Sequence, residues 1–196
     1  ELAQQALGGR VYARMNGVGE LAATVLIDDG VEDLSAAAAQ IAYGARLKSY
    51  RFDRYRTKED SSKKPTLRTL AIRVDSFAKA RRAFAALDKV SAGVFFTRDL
   101  VSAPPNDLYP ESFAAETKKL AELGVKVEVL GEKKMQRLGM GALLGVGQGS
   151  IRQSHLVVMR WNGAVRNKKP VAFVGKGVTF DTGGISLKPA QGMEEM

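Results

Sequence analysis

Residues 75–105 read DSFAKARRAFAALDKVSAGVFFTRDLVSAPP, and this stretch divides the chain. Phe77, Ala80, Phe84, Leu87, Val90, Val94 and Val101 recur at three- and four-residue spacing, the signature of one amphipathic helix. A helix from Asp75 to about Val101 is long for an element inside a small domain and suits a connector. Pro104 and Pro105 end it, because neither can donate a helical hydrogen bond and the first disfavours helix before it. The domain boundary is therefore placed here, with a partial N-terminal α/β domain over 1–74, a linking helix over 75–103 and a second α/β domain with a central mixed sheet over 104–196.

Working back from this helix, Thr66 to Val74 alternates imperfectly around Leu67, Leu70 and Ile72 and reads as a strand. Tyr50 to Pro65 is polar, basic and without period, hence a loop. Val31, Leu34, Ala38, Ile41 and Ala45 predict an amphipathic helix with an alanine-rich packing face. Before it, Arg10–Met15 and Leu21–Ile27 read as two strands joined by a turn at Asn16-Gly17, with Asp28-Asp29-Gly30 stopping the second. A short helical tail is expected to end near Gly8-Gly9.

Working forward, Pro110 with Glu111 behind it opens a helix through Leu123 that Gly124 closes. Val125–Leu130 predicts a strand, Glu132–Leu138 a short helix, His155–Trp161 a strand and Val171–Gly175 another strand rich in β-branched residues. Trp161 and Phe173 read as core. Such alternation argues for helices layered on a sheet, and loops at the C-terminal ends of its strands are where sites form.

With 196 residues, 45% hydrophobic and 26% charged, the composition is that of a globular protein with a core. The absence of methionine at position 1 and the stop in Glu194-Glu195-Met196 read as a chain cut at both ends, the middle of a larger enzyme. No run approaches a membrane span, and Glu1-Leu2-Ala3-Gln4-Gln5 lacks the regions of a signal peptide. Zero cysteines and one histidine exclude disulfides, thiolate sites and multi-histidine zinc sites. A metal would need oxygen and nitrogen ligands suited to Mn²⁺, Mg²⁺ or Zn²⁺.

The net charge of +9 is concentrated: Arg46 to Arg68 holds nine basic and three acidic residues, +6 of the total. A hydrated loop is the plain reading of this block, and a nucleic-acid or acidic-partner surface is the rival one. Gly145-Val146-Gly147-Gln148-Gly149 lacks the full dinucleotide fingerprint and a preceding strand, so its glycines serve backbone turns. His155, at the head of an apolar strand, reads as packed or hydrogen-bonded rather than as a ligand.

Val174-Gly175-Lys176-Gly177-Val178-Thr179-Phe180-Asp181-Thr182-Gly183-Gly184-Ile185-Ser186-Leu187-Lys188-Pro189 places two lysines and an aspartate on a glycine-rich loop. A lysine beside a cation is either repelled or forced neutral, and a neutral amine is a competent ligand. Glycine lets backbone approach such a centre closely. Taken alone, the three charges fit equally a loop facing water.

This segment closely resembles the first metal-binding signature of the M17 family of leucyl aminopeptidases. Asp99-Leu100-Val101-Ser102-Ala103-Pro104-Pro105-Asn106-Asp107-Leu108-Tyr109-Pro110 and Leu138-Gly139-Met140-Gly141-Ala142-Leu143-Leu144-Gly145-Val146-Gly147-Gln148-Gly149-Ser150 resemble two further segments of that family, in the same order. The resemblance implies a cytoplasmic, hexameric exopeptidase with two divalent metal ions, Mn²⁺ or Zn²⁺, acting on peptides with a free N-terminus and preferring leucine and other apolar residues. It makes Lys176 a ligand of one metal, Asp181 a bridge between both, and Lys188 the catalytic electrophile. The family's further aspartate and its Asp-x-Glu-Gly-Arg segment are not in these 196 residues, so the chain alone is expected to be inactive. A structural pseudo-enzyme is the remaining alternative.

Overall fold

The computed structural model describes residues 1–27, 30, 32–164 and 169–179. They form two compact units, Glu1–Ser102 and the part from Ala103 onward.

The first unit opens with α1, Leu2–Asn16, where the sequence predicts a tail and then a strand over Arg10–Met15. The helix runs straight through Gly8-Gly9, and the reason is tertiary. α1 packs against α2, Leu34–Lys48, so closely that a Cβ on Gly8 would lie 1.9 Å from the Ile41 carbonyl oxygen. Glycine inside a helix costs about 1 kcal/mol relative to alanine. Here it permits backbone-to-backbone packing that no side chain would allow. α2 contributes a face of Ala37, Ala38, Ala39, Ile41 and Ala45, all buried, and burying Ile41 alone contributes about 1.5–3 kcal/mol.

Asn16 is the last residue of α1 rather than the corner of a hairpin. Its Oδ1 accepts from the backbone N–H of Thr66 (3.1 Å) and of Leu67 (3.3 Å), and its carbonyl accepts from the Thr66 hydroxyl. The turn dipeptide thus ties the end of the helix to the segment entering β2, Thr69–Arg73. β2 pairs in parallel with β1, Ala22–Leu26, with Val25 opposite Ile72. A parallel pair requires a crossover, and α2 with the loop after it provides one. Asp28, Asp29 and Val31, read from sequence as the strand stop and helix start, lie outside the described residues.

Asp33 caps α2, accepting from Ser35 and Ala36 N–H at 3.1 and 3.0 Å, which satisfies two orphan donors of the first turn. The long helix is present as α3, Phe77–Ser102. It runs along α2, fastened at one end by Lys79 on Asp33 (2.9 Å) and at the other by Tyr50 donating to Asp99 (2.8 Å) and by Arg98 donating to the Leu47 carbonyl (3.1 Å). Within the basic loop, the Arg51 guanidinium pairs with Glu59, approaches Asp53 at 3.4 Å and donates to the Lys63 carbonyl at 3.2 Å. The loop is organised from inside by one of its own cations.

The second unit begins with α4, Pro110–Lys118, which tightens into a 3-10 turn over Lys119–Leu123 and stops at Gly124 with φ 88°. That left-handed conformation is why glycine stands there. β3, Lys126–Gly131, and β4, His155–Arg160, are antiparallel, with Val129 opposite Val157. Between them lie α5, Glu132–Arg137, and α6, Gly141–Gly147. α6 was not expected from a glycine-rich run. Met135 of α5 is completely buried, and Glu132 accepts from the Ser154 N–H at 2.9 Å, holding the entry to β4.

Three expectations fail in this unit. Residues 171–175 pair with no strand among the described residues, although their composition is that of a strand. Phe173 is 94% exposed and Val174 100%, so neither it nor the exposed Trp161 is core among the described residues. Strand formation needs a hydrogen-bonding neighbour as well as β-branched side chains, and composition supplies only the second.

Candidate metal centre

The glycine-rich loop begins in the segment 169–179, which is neither helix nor strand. Lys176 sits there, exposed, and its amine has no hydrogen-bond or ion-pair partner among the described residues. Asp181 and Lys188 lie outside the described residues. Of the three predicted site residues, Lys176 alone lies among the described residues.

The segment around Lys176 is narrow at Gly177 and open at Gly175. A Cβ on Gly177 would stand 3.0 Å from Cε1 of Phe113 and 3.7 Å from its Cδ1, whereas nothing lies within 4 Å of the same position on Gly175. Phe113 belongs to the first turn of α4, and that turn is tightly tied. Its N–H donates to the Tyr109 carbonyl at 2.8 Å. Ser112 Oγ accepts from the Tyr109 N–H at 2.9 Å and donates to the Asp107 carbonyl at 2.7 Å. Pro110 fixes φ at the helix start, and the Arg152 guanidinium lies 3.9 Å above the Tyr109 ring.

No group of three or more His, Cys, Asp or Glu side chains forms a metal site among the described residues. Of the donors in the sequence motif, an amine and a carboxylate in a chain with no thiol suit hard or borderline dications. Lys176 is accessible to a cation, and a bound dication would itself favour the neutral, ligating form of its amine. His155 is engaged elsewhere: its Nδ1–H donates to the Gln153 carbonyl at 2.9 Å, as the sequence reading had it. Gly147 is also a close-approach position, since a Cβ there would fall 2.0 Å from Ser154 Oγ. The run Gly145–Gly149 is structural, ending α6 rather than following a strand.

Electrostatics in this unit are surface effects. Glu128 is held below the usual glutamate range by its hydrogen bond to Lys134, whose Nζ stands 2.5 Å away. The pair is exposed and stabilises β3 against α5 rather than serving chemistry. Sequence reasoning missed Phe113 because an aromatic on a helix face looks like any core residue. Only the missing side chain at Gly177 hinted that something lies against that segment.

Residues 95–196 match the sequence profile of the cytosol aminopeptidase family, catalytic domain. The chain is 55% identical over 160 residues to a probable cytosol aminopeptidase of Caulobacter vibrioides, covering 81% of this chain and 32% of that protein. It is 50% identical over 194 residues to one of Rhizobium rhizogenes, covering 97% and 39%. Among solved structures it resembles a tomato leucine aminopeptidase mutant with a TM-score of 0.79 and 29% identity, over 93% of this chain and 38% of that one. The chain thus spans between three and four tenths of the length of these relatives. A family match that begins in α3 and continues through the Lys176 loop, joined to relatives half identical over nearly all 196 residues, means that this chain belongs to the cytosol aminopeptidase family.

Proposed function

We propose that the chain is part of a metal-dependent aminopeptidase of the cytoplasm that releases N-terminal residues, leucine and other apolar ones by preference, from peptides. The observation that carries this reading is the family match over residues 95–196, which includes the whole Val174–Pro189 signature. In this reading residues 1–74 are part of an N-terminal domain, 75–103 a linking helix and 104–196 the start of the catalytic domain, in a hexameric enzyme.

Lys176 would bind one divalent ion, Mn²⁺ or Zn²⁺, through its neutral amine, and the two carboxylate oxygens of Asp181 would reach both ions. When bound, such a metal pair lowers the pKa of a water and polarises the scissile carbonyl. Lys188 stays protonated and donates to the oxygen on which negative charge develops, a contribution of about 2.7–4 kcal/mol for one well-placed donor. In this reading the family's further aspartate and its Asp-x-Glu-Gly-Arg segment complete the ligand set, and residues 1–196 alone are expected to be inactive.

The test is Mn²⁺- or Zn²⁺-stimulated release of leucine from a leucyl amide by the full-length protein. Release that Lys188→Ala abolishes while circular dichroism stays unchanged is expected. No release with either metal defeats the assignment, and parental activity from residues 1–196 alone defeats the claim that further ligands are required.

A further inference from the structure

We propose that Phe113 is a positioning residue for Lys176, a buttress from α4 that fixes the loop segment carrying this amine. The inference rests on the reading of Lys176 as a metal ligand and adds a residue outside the loop motif.

A ligand on a glycine-flanked segment has wide backbone freedom, and freedom must be restricted before an amine can be held at a fixed distance from a cation. Gly175 offers no restraint, since its surroundings are open to 4 Å. Gly177 meets the Phe113 ring edge instead, with Cε1, Cδ1 and Cζ at 3.0, 3.7 and 4.0 Å from where a side chain would begin. The ring occupies the space that glycine leaves. A side chain at 177 would therefore have to push the ring aside by a few tenths of an ångström.

The buttress is stiff because its base is stiff. Phe113 is half-buried, the next residue Ala114 is 4% exposed, and Thr117 one turn later is 7% exposed, so this face of α4 is anchored in the unit. The N-terminal turn is closed by Ser112 on both Tyr109 and Asp107. The apolar residues preceding Lys176, Val171, Phe173 and Val174, are exposed and give the loop no comparable seat among the described residues.

Mn²⁺ titration of the full-length protein without substrate, read by calorimetry, tests this directly. Phe113→Ala is expected to raise the Mn²⁺ dissociation constant about tenfold or more, the scale seen when groups supporting a ligand are removed, with binding stoichiometry preserved. Lys176→Ala, by contrast, should lose an equivalent of metal. Phe113→Tyr keeps the ring and should restore affinity. Gly177→Ala, which drives a methyl into the ring, should weaken Mn²⁺ binding alone yet less than additively when combined with Phe113→Ala. Unchanged affinity in both Phe113→Ala and Gly177→Ala overturns the proposal, as does a loss that Phe113→Tyr fails to rescue. If the wild-type protein takes up no Mn²⁺ or Zn²⁺ at all, the ligand role of Lys176 fails first and the buttress falls with it.

Discussion

Gly44 of α2 lies so close to Gln5 of α1 that a methyl at position 44 would sit 1.9 Å from the Gln5 carbonyl oxygen and 2.7 Å from its Cα. Gly8 makes the reciprocal approach to Ile41, so the two helices meet backbone to backbone at both contacts. Since the obstructing atoms are main chain, no rotamer change can relieve the clash. Gly44→Ala is expected to destabilise the protein by at least 1–3 kcal/mol, roughly the cost of overpacking, despite the better helix propensity of alanine. Gly93→Ala in α3, where a Cβ meets nothing within 4 Å, should instead stabilise by about 0.5–1 kcal/mol. Urea midpoints of the two variants should move in opposite directions.

Asn16 satisfies the N–H groups of Thr66 and Leu67 together, and Leu67 is buried. Removing the amide oxygen leaves two donors at the entry to β2 without their partner. Asn16→Ala should cost about 1–3 kcal/mol for the unsatisfied groups, while Asn16→Asp, which keeps the acceptor, should cost much less. Chemical denaturation of both variants checks the ordering.

Asp33 is held below the ordinary aspartate value of 3.8, first by the Ala36 N–H and then by Lys79. A native value lower than the unfolded one means the unfolded chain binds the proton more readily. The stabilisation is therefore complete above about pH 4 and is lost as the pH falls through the lowered native value. Asp33→Ala should lower the melting temperature at neutral pH and flatten its decline on acidification. Melting curves between pH 2 and 6 would show no such flattening if the cap and the Lys79 pair contributed nothing.

Arg51 gathers Glu59, Asp53 and the Lys63 carbonyl around one guanidinium. Lysine cannot reproduce that fork, because its ammonium is a single point of donation. Arg51→Ala and Arg51→Lys should both loosen the loop, raising the rate of tryptic cleavage after Arg54, Lys58 and Lys63 several-fold with the global unfolding midpoint little changed. Equal cleavage rates in wild type and variants would show that the loop is held by other means.

The long helix was legible because twenty-six residues of period-3.6 apolar spacing and a double proline leave few alternatives. The stop at Gly124 and the βα alternation after Pro110 were legible for similar local reasons. α1 was misread because Gly8-Gly9 and Asn16-Gly17 carry strong local signals for breaks and turns. A neighbouring helix that needs glycine for close approach overrode them. The strand expected at 171–175 and the core positions of Trp161 and Phe173 rest on partners that composition does not reveal. At the candidate site the motif named Lys176, Asp181 and Lys188, but Phe113 comes from a helix sixty residues earlier and carries no motif.

The sequence alone determined that this chain is a cytosol aminopeptidase family member of the α/β class, because a glycine-rich signature and a long periodic helix are local properties written in consecutive residues. The tertiary structure decided which glycines lie against a neighbour, Gly8 and Gly44 in the crossing of α1 and α2 and Gly177 against Phe113. A glycine declares only that a side chain is missing. What occupies the vacant space depends on elements far away in the chain, and that is settled by packing.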